Sequence, residues 1–212
     1  MPTINSSRVV DASICEPAFG RWYADIESDS KEDITGEVTI NLDGVTYKGT
    51  VYRGGVYSNR WIGRVVGGAN GISNTLDAKA YYTAPLQSVL DDVMSETSET
   101  LSSDSESLLS WPMAHWQRMR APGTHVMLDI ANTTGYAWRF DREGEVLLTE
   151  QEYTTSAVVY SVVDENPALG NFIIAPVTGS LVEPSTTVGG YSVNYVVTFY
   201  SASGTRQELW YE

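Results

Sequence analysis

The 212-residue sequence has one cysteine, two histidines and three lysines, and each scarcity removes a class of function. Cys15 has no partner for an intrachain disulfide and reads as a small, inert strand residue rather than a reactive thiol. His115 and His125 form no cluster with it at zinc spacing, so no metal and no cofactor are expected. Lys31, Lys48 and Lys79 are the lysines among 13 basic side chains, which face 27 acidic ones and leave a net charge of −14. Such a surface repels phosphate backbones and excludes tight nucleic-acid binding, although it suits a wall past which DNA slides without sticking. No run approaches the roughly 20 apolar residues of a membrane helix. The stretch MPTINSSRVVD lacks the basic start and apolar run of a secretory signal. The expectation is a protein without a membrane anchor, made in a reducing cytoplasm.

What is present is material for a core, since 42% of the residues are apolar. Residues 1 to about 66 read as short antiparallel strands. Val38, Ile40 and Leu42 alternate with Thr39 and Asn41, and Asp43-Gly44 is a two-residue hairpin signal leading into Val45-Thr46-Tyr47. Gly54-Gly55 reads as a further turn before a strand pair over Val56 to Val66. The pattern then becomes helical: Leu86, Val89, Leu90, Val93 and Met94 fall at i, i+3, i+4, i+7 and i+8, with Thr83 as cap and Pro85 in the first turn. From Asp91 to Glu106 the charges are all acidic, as in a solvated helix end and loop. SLLSWPMAHWQRMRAPG reads as aromatic and irregular between Pro112 and Pro122. A second helix is expected over THVMLDIANTTG, with Gly135 as its stop, followed by a hairpin of Ala137 to Phe140 and Val146 to Thr149. The remainder, with Gly189-Gly190 as a turn, is strand-rich again. The predicted architecture is mainly β with an α/β insertion. Two small β-barrel domains, 1–80 and 151–212, flank a helix-containing segment, 81–150.

The search for chemistry is largely negative. WIGRVVGGANGIS places Gly67, Gly68 and Gly71 around Asn70 after a strand, yet matches neither the P-loop nor the dinucleotide fingerprint. The reading is a turn needing positive φ at Gly68, Asn70 or Gly71. Asp91 and Asp92, adjacent on a helix, point about 100° apart and cannot flank one bond. Gly71-Ile72-Ser73-Asn74-Thr75 lacks the last glycine of a nucleophile elbow. His115, between Trp111 and Trp116, and His125 read as packing or interface residues. A wall hydrolase would have to use groups such as Glu96 and His115. The aromatic residues Trp22, Tyr47, Tyr52, Tyr57, Trp61, Trp138, Tyr195 and Trp210 are scattered through strands, where core packing, permanent interfaces or a sugar platform would each use them.

The wording of GTVYRGGVYSNRWIGRVVGGANGISNTLDAKAYYTAPLQSVLDDVMSETSETLS (Gly49 to Ser102), the Trp116 region, the Trp138-Arg139 strand with its DREG turn, and APVTGSLVEPSTTVGGYSVNYVVTFY resembles baseplate hub proteins of contractile-tailed bacteriophages. These are related in architecture to the hub part of type VI secretion spikes. The resemblance spans roughly residues 8 to 212 and names no active site. It implies two β-barrel domains per subunit in a homotrimer whose six barrels match a sixfold tail tube. The partners it implies are the tail tube or tube-initiator protein, the central spike and other baseplate proteins, with genomic DNA only in passage through the lumen. A virion location and a non-enzymatic role follow. At 212 residues the chain is short for a hub, so a piercing tip or wall-degrading activity is expected on another polypeptide. A small receptor- or glycan-binding tail module is the alternative, and a cell-wall hydrolase the more distant one.

Overall fold

The structure is a computed structural model that describes residues 1–150 and 152–211. Six strands open the chain: β1 (Thr3–Ile4), β2 (Ser7–Pro17), β3 (Tyr23–Ser28), β4 (Glu37–Leu42), β5 (Val45–Tyr57) and β6 (Arg60–Gly67). Their hydrogen-bonded order is β1-β4-β5-β6-β3-β2, and β1 also pairs with β2, so the six close into a barrel. Alternation directs Ile14 on β2, Ala24 and Ile26 on β3, Val38, Ile40 and Leu42 on β4, and Tyr47 on β5 into one core. Asp43 and Gly44 both take positive φ, the mirror-image turn that matches strand twist.

Gly54-Gly55 does not turn the chain. Both residues lie inside β5, and the reversal comes at Ser58-Asn59, each with positive φ. The glycines serve packing instead. Trp61 is fully buried, and a β-carbon at Gly54 or Gly63 would sit 2.6 or 2.3 Å from its ring. Sequence punctuation signals a turn wherever glycines cluster, but here the missing side chains make room for an indole.

The middle of the chain contains β7 (Thr75–Leu76), β8 (Lys79–Pro85), α1 (Leu86–Thr97), a 3-10 turn (Ser103–Leu108), β9 (Pro112–Arg118), β10 (Ala121–Pro122), α2 (Gly123–Thr134), and the hairpin β11 (Ala137–Phe140) and β12 (Val146–Thr149). The stretch expected to be irregular is β9, which pairs antiparallel with β8 from Lys79↔Arg118 to Pro85↔Pro112. Its prolines sit at or beyond the strand ends, where no ladder hydrogen bond is lost. Thr83 is not a helix cap. It lies within β8 at φ 54°, skipped by the pairing between Tyr82 and Ala84, and Pro85 is the residue that precedes α1. Leu86, Val89, Leu90, Val93 and Met94 are all buried on one side of α1. Of the acidic run, Asp91, Glu96 and Asp104 are exposed, whereas Glu99 is buried. The side chain of Glu106 lies outside the described residues.

The last strands are β13 (Thr154–Thr155), β14 (Ser161–Asn166), β15 (Asn171–Ala175), β16 (Thr186–Val188), β17 (Tyr191–Ser201) and β18 (Gly204–Tyr211). They are ordered β14-β15-β18-β17-β16-β13 around a second, smaller core of Phe172, Ile174, Val182, Val188, Val193, Val196 and Leu209. Among the described residues β13 and β14 do not pair, so this sheet is open where the first is closed. Gln151 and Glu212, the ends of the expected C-terminal domain, lie outside the described residues. The two sheets join edge to edge: β17 pairs with β2 from Tyr195↔Pro17 to Tyr200↔Ala12.

Candidate functional site

Two constellations bind the three segments together, and both are built from charged groups turned inward. The first is the glycine-rich loop after β6. Gly68 and Asn70 take positive φ, at 75° and 67°, while Gly71 does not. This alternation turns successive backbone N–H groups toward one point, an arrangement that elsewhere receives phosphate. Here the anion comes from the chain itself. Glu99 accepts hydrogen bonds from the N–H groups of Ala69 and Gly71, both at 2.7 Å, and of Ile72 at 3.0 Å.

The geometry follows from the end of α1. Ser98 is left-handed and the Glu99 N–H bonds back to the Met94 carbonyl, a helix stop that aims the next side chain across the loop. Gly71 is required by approach rather than by φ, because its β-carbon would meet the Thr97 carbonyl oxygen at 1.7 Å. On the other side the loop's carbonyls serve the start of α2: Thr124 N–H donates to Ile72 and Gly123 N–H to Asn74, both at 3.0 Å. The loop is thus a seam between two helices, with its anion site occupied by Glu99. Glu99→Gln keeps the shape and removes the charge, so it is expected to lower stability by about 1–2 kcal/mol, the gap between charged and neutral hydrogen bonds. Urea unfolding followed by tryptophan fluorescence measures it, and an unchanged midpoint would mean that shape alone holds the loop.

The second constellation centres on Arg142, in the turn of the β11–β12 hairpin. Its guanidinium donates to Glu16 on β2, at 2.8 and 3.1 Å, and to the carbonyls of Leu181 and Val182 at 3.3 and 2.9 Å. It also pairs with Glu183 at 3.1 Å and lies over the Tyr47 ring at 5.1 Å. Tyr47 completes the group by donating its hydroxyl to Glu16 at 3.0 Å. Burial works against the charge on Arg142, but Glu16, Tyr47 and Glu183 outweigh it and hold the guanidinium's pKa above its ordinary value. Burial, then the neighbouring Glu16, pushes the Tyr47 phenol well above its usual range. Gln207 makes a related tie inside the second sheet, accepting from the Val182 N–H at 2.8 Å and donating to the Val182 carbonyl at 3.1 Å.

The groups that could do chemistry are not gathered. Glu96 is engaged by Arg118 at 2.7 Å, while His115 stands exposed on β9 with its ring edge-on to Tyr82. Asp92 pairs with Lys79 at 2.5 Å and Asp91 faces solvent. Among the described residues no three His, Cys, Asp or Glu side chains are grouped to hold a metal. Of the aromatic residues, Trp22, Tyr47, Trp61 and Trp138 are core, and Tyr52 and Tyr57 are exposed on the β5–β6 hairpin. A cleft of about 540 Å³ beside the loop is lined by Glu37, Glu143 and Glu145 with Lys48, which pairs with Glu143. Gly189 and Gly190, at φ 60° and 91°, form the turn from β16 to β17. Neither the Glu99 seam nor the Arg142 junction was anticipated from the sequence, because their partners lie 27–30 and 126 residues apart.

Comparison with protein-family models and with curated sequences finds no match. Solved structures, by contrast, share the fold along almost the whole chain, among them two tail proteins and a component of a secretion system. The 43 kDa tail protein of prophage MuSo2 from Shewanella oneidensis is similar with a TM-score of 0.72 and 11% identity, over 99% of this chain and 97% of that one. An E. coli component of the type VI secretion system, described as structurally similar to the T4 bacteriophage tail proteins gp27 and gp5, gives 0.68 and 10% identity over 99% of this chain and 75% of that one. A tail protein from Neisseria meningitidis MC58 gives 0.63 and 11% identity over 98% and 94%. At these identities the likeness is one of fold.

Proposed function

We propose that the protein is a structural component of a phage tail, a baseplate hub that assembles as a homotrimer and joins a sixfold tail tube to a threefold central spike. The observation that carries this reading is the likeness of fold over 99% of the chain to a prophage tail protein and to a secretion component itself compared with T4 tail proteins. In this reading the closed barrel is one tube-facing unit and the open C-terminal sheet, completed in the assembly, is the other. Six such units in a trimer meet six tube subunits. The function is geometric rather than catalytic: the Arg142 junction and the β2–β17 pairing hold two β units at a fixed angle, and α1 packs its apolar stripe into the core of the first. A negative net charge suits a lumen through which DNA moves without being held.

The test is the mass of the purified protein by light scattering after size exclusion. A mass near three times 23.3 kDa is expected. A chain that stays monomeric at high concentration and saturably binds glycans or cells would turn the reading toward a receptor-binding tail module.

A further inference from the structure

The glycine-rich loop contains the one Asn-Gly pair of the chain, Asn70-Gly71. Asn-Gly is the dipeptide at which a chain most readily deamidates, because glycine leaves the next backbone nitrogen without a side chain to shield it. In that reaction the Gly71 nitrogen gives up its proton and attacks the side-chain carbonyl carbon of Asn70. A C–N bond forms, the bond to the side-chain nitrogen breaks, and ammonia leaves with the proton. Water then opens the cyclic imide at either carbonyl, leaving aspartate or isoaspartate at position 70.

The structure ties down both partners of this reaction. Gly71 N–H donates to Glu99 at 2.7 Å, and the flanking Ala69 and Ile72 N–H groups bond the same carboxylate. The Asn70 side-chain oxygen accepts from Arg21 at 2.9 Å. The Gly71 carbonyl accepts from the Asn74 N–H at 2.8 Å, and Gly71 is pressed against the Thr97 carbonyl. Ring closure needs the 70–71 peptide plane to rotate until its nitrogen stands over the side-chain carbon, at about 3–3.5 Å. A plane pinned on both sides cannot turn without first releasing Glu99. We propose that Asn70-Gly71 is a deamidation site which the fold keeps closed, with Glu99 and Arg21 as the residues that hold it. Isoaspartate would lengthen the main chain by one carbon inside the loop. The N–H groups of Ala69, Gly71 and Ile72 would then no longer converge, and the seam would not re-form. The proposal is independent of the tail reading.

The test incubates the full-length protein at mildly alkaline pH, folded and in urea, and follows the tryptic peptide Val65 to Lys79 by mass spectrometry. Fragment ions separate Asn70 from Asn74 in that peptide. Native protein is expected to deamidate at Asn70 at least about tenfold more slowly than the unfolded chain, because the loop must open first. Glu99→Gln, with its charged hydrogen bonds made neutral, should speed the native reaction about 5- to 30-fold, the factor by which about 1–2 kcal/mol eases opening. Arg21→Met, which frees the Asn70 side chain and leaves the Glu99 bonds in place, should speed it several-fold, and it decides alone if Glu99→Gln does not fold. Val196→Ala, in the core of the second sheet, lowers stability elsewhere and should leave the rate at Asn70 unchanged. Equal rates in folded and unfolded protein would overturn the proposal, as would native rates unchanged by both loop variants. A slower reaction in Glu99→Gln would also overturn it, making Glu99 the base that drives the attack rather than the group that restrains it. Acceleration by Val196→Ala as large as by Glu99→Gln would do the same, since only global unfolding would then open the site.

Discussion

Leu90→Asp is expected to abolish folding. Leu90 is fully inaccessible, on the α1 stripe between Val89 and Val93, in the same core as the barrel residues Ile26 and Val65 and as Met127 and Ile130 of α2. Truncation to alanine leaves a cavity and costs about 2–5 kcal/mol in comparable cores. A carboxylate adds the cost of burying a charge, or of holding the acid neutral, inside this apolar core, and the sum is comparable to the roughly 5–15 kcal/mol by which domains are stable. The variant should be found in the insoluble fraction, and any soluble part should show no cooperative unfolding transition by circular dichroism. Leu90→Met, of similar volume, should stay within about 1.5 kcal/mol of the parent. A soluble Leu90→Asp chain that unfolds at the parental temperature would mean that α1 turns this face to water.

The same stripe was legible in the sequence because its information is local: a 3.6-residue period needs only the residues that show it. So were the Asp43-Gly44 hairpin and the pair of strands around the DREG turn, where turn residues and alternation agree within a few positions. Legibility failed where a residue serves a distant partner. Gly54 and Gly63 are glycine because Trp61 folds over them, whereas in the sequence Gly54-Gly55 reads as a turn. β9 hides among tryptophans and prolines because its pairing with β8 spans the whole of α1. Glu99 looked like one more solvated acid in an acidic run, and its burial depends on a loop that precedes it by nearly thirty residues. Barrel closure depends on the two-residue strand β1, too short to leave a pattern. The common cause is that charge runs and glycine clusters report composition, whereas burial is decided by what folds back upon them.

Arg142→Met should be nearly as damaging as a core charge, for the converse reason. Arg142 is the cation that makes the burial of Glu16 tolerable, and Glu16 is only 3% exposed. Removing it leaves that carboxylate with the Tyr47 hydroxyl, strips the Leu181 carbonyl of its donor and leaves the Val182 carbonyl with Gln207 alone. Breaking a buried pair in this way costs about 3–5 kcal/mol, because an uncompensated charge remains. The loss should be specific in where it falls. The barrel keeps its closed ring of strands, while the segment around Val182 loses the tie through Arg142 and keeps the one through Gln207. Hydrogen exchange should therefore accelerate first at residues 180–183 and along the β2–β17 seam, before the strands of the barrel. Joint replacement, Glu16→Gln with Arg142→Met, should recover part of the loss, since no charge is then stranded. If Arg142→Met unfolded at the parental midpoint, the junction would contribute orientation without stability. Recovery of assembly in the double variant would then be the measure of whether the angle between the two β units, rather than the charge pair itself, is what a ring requires.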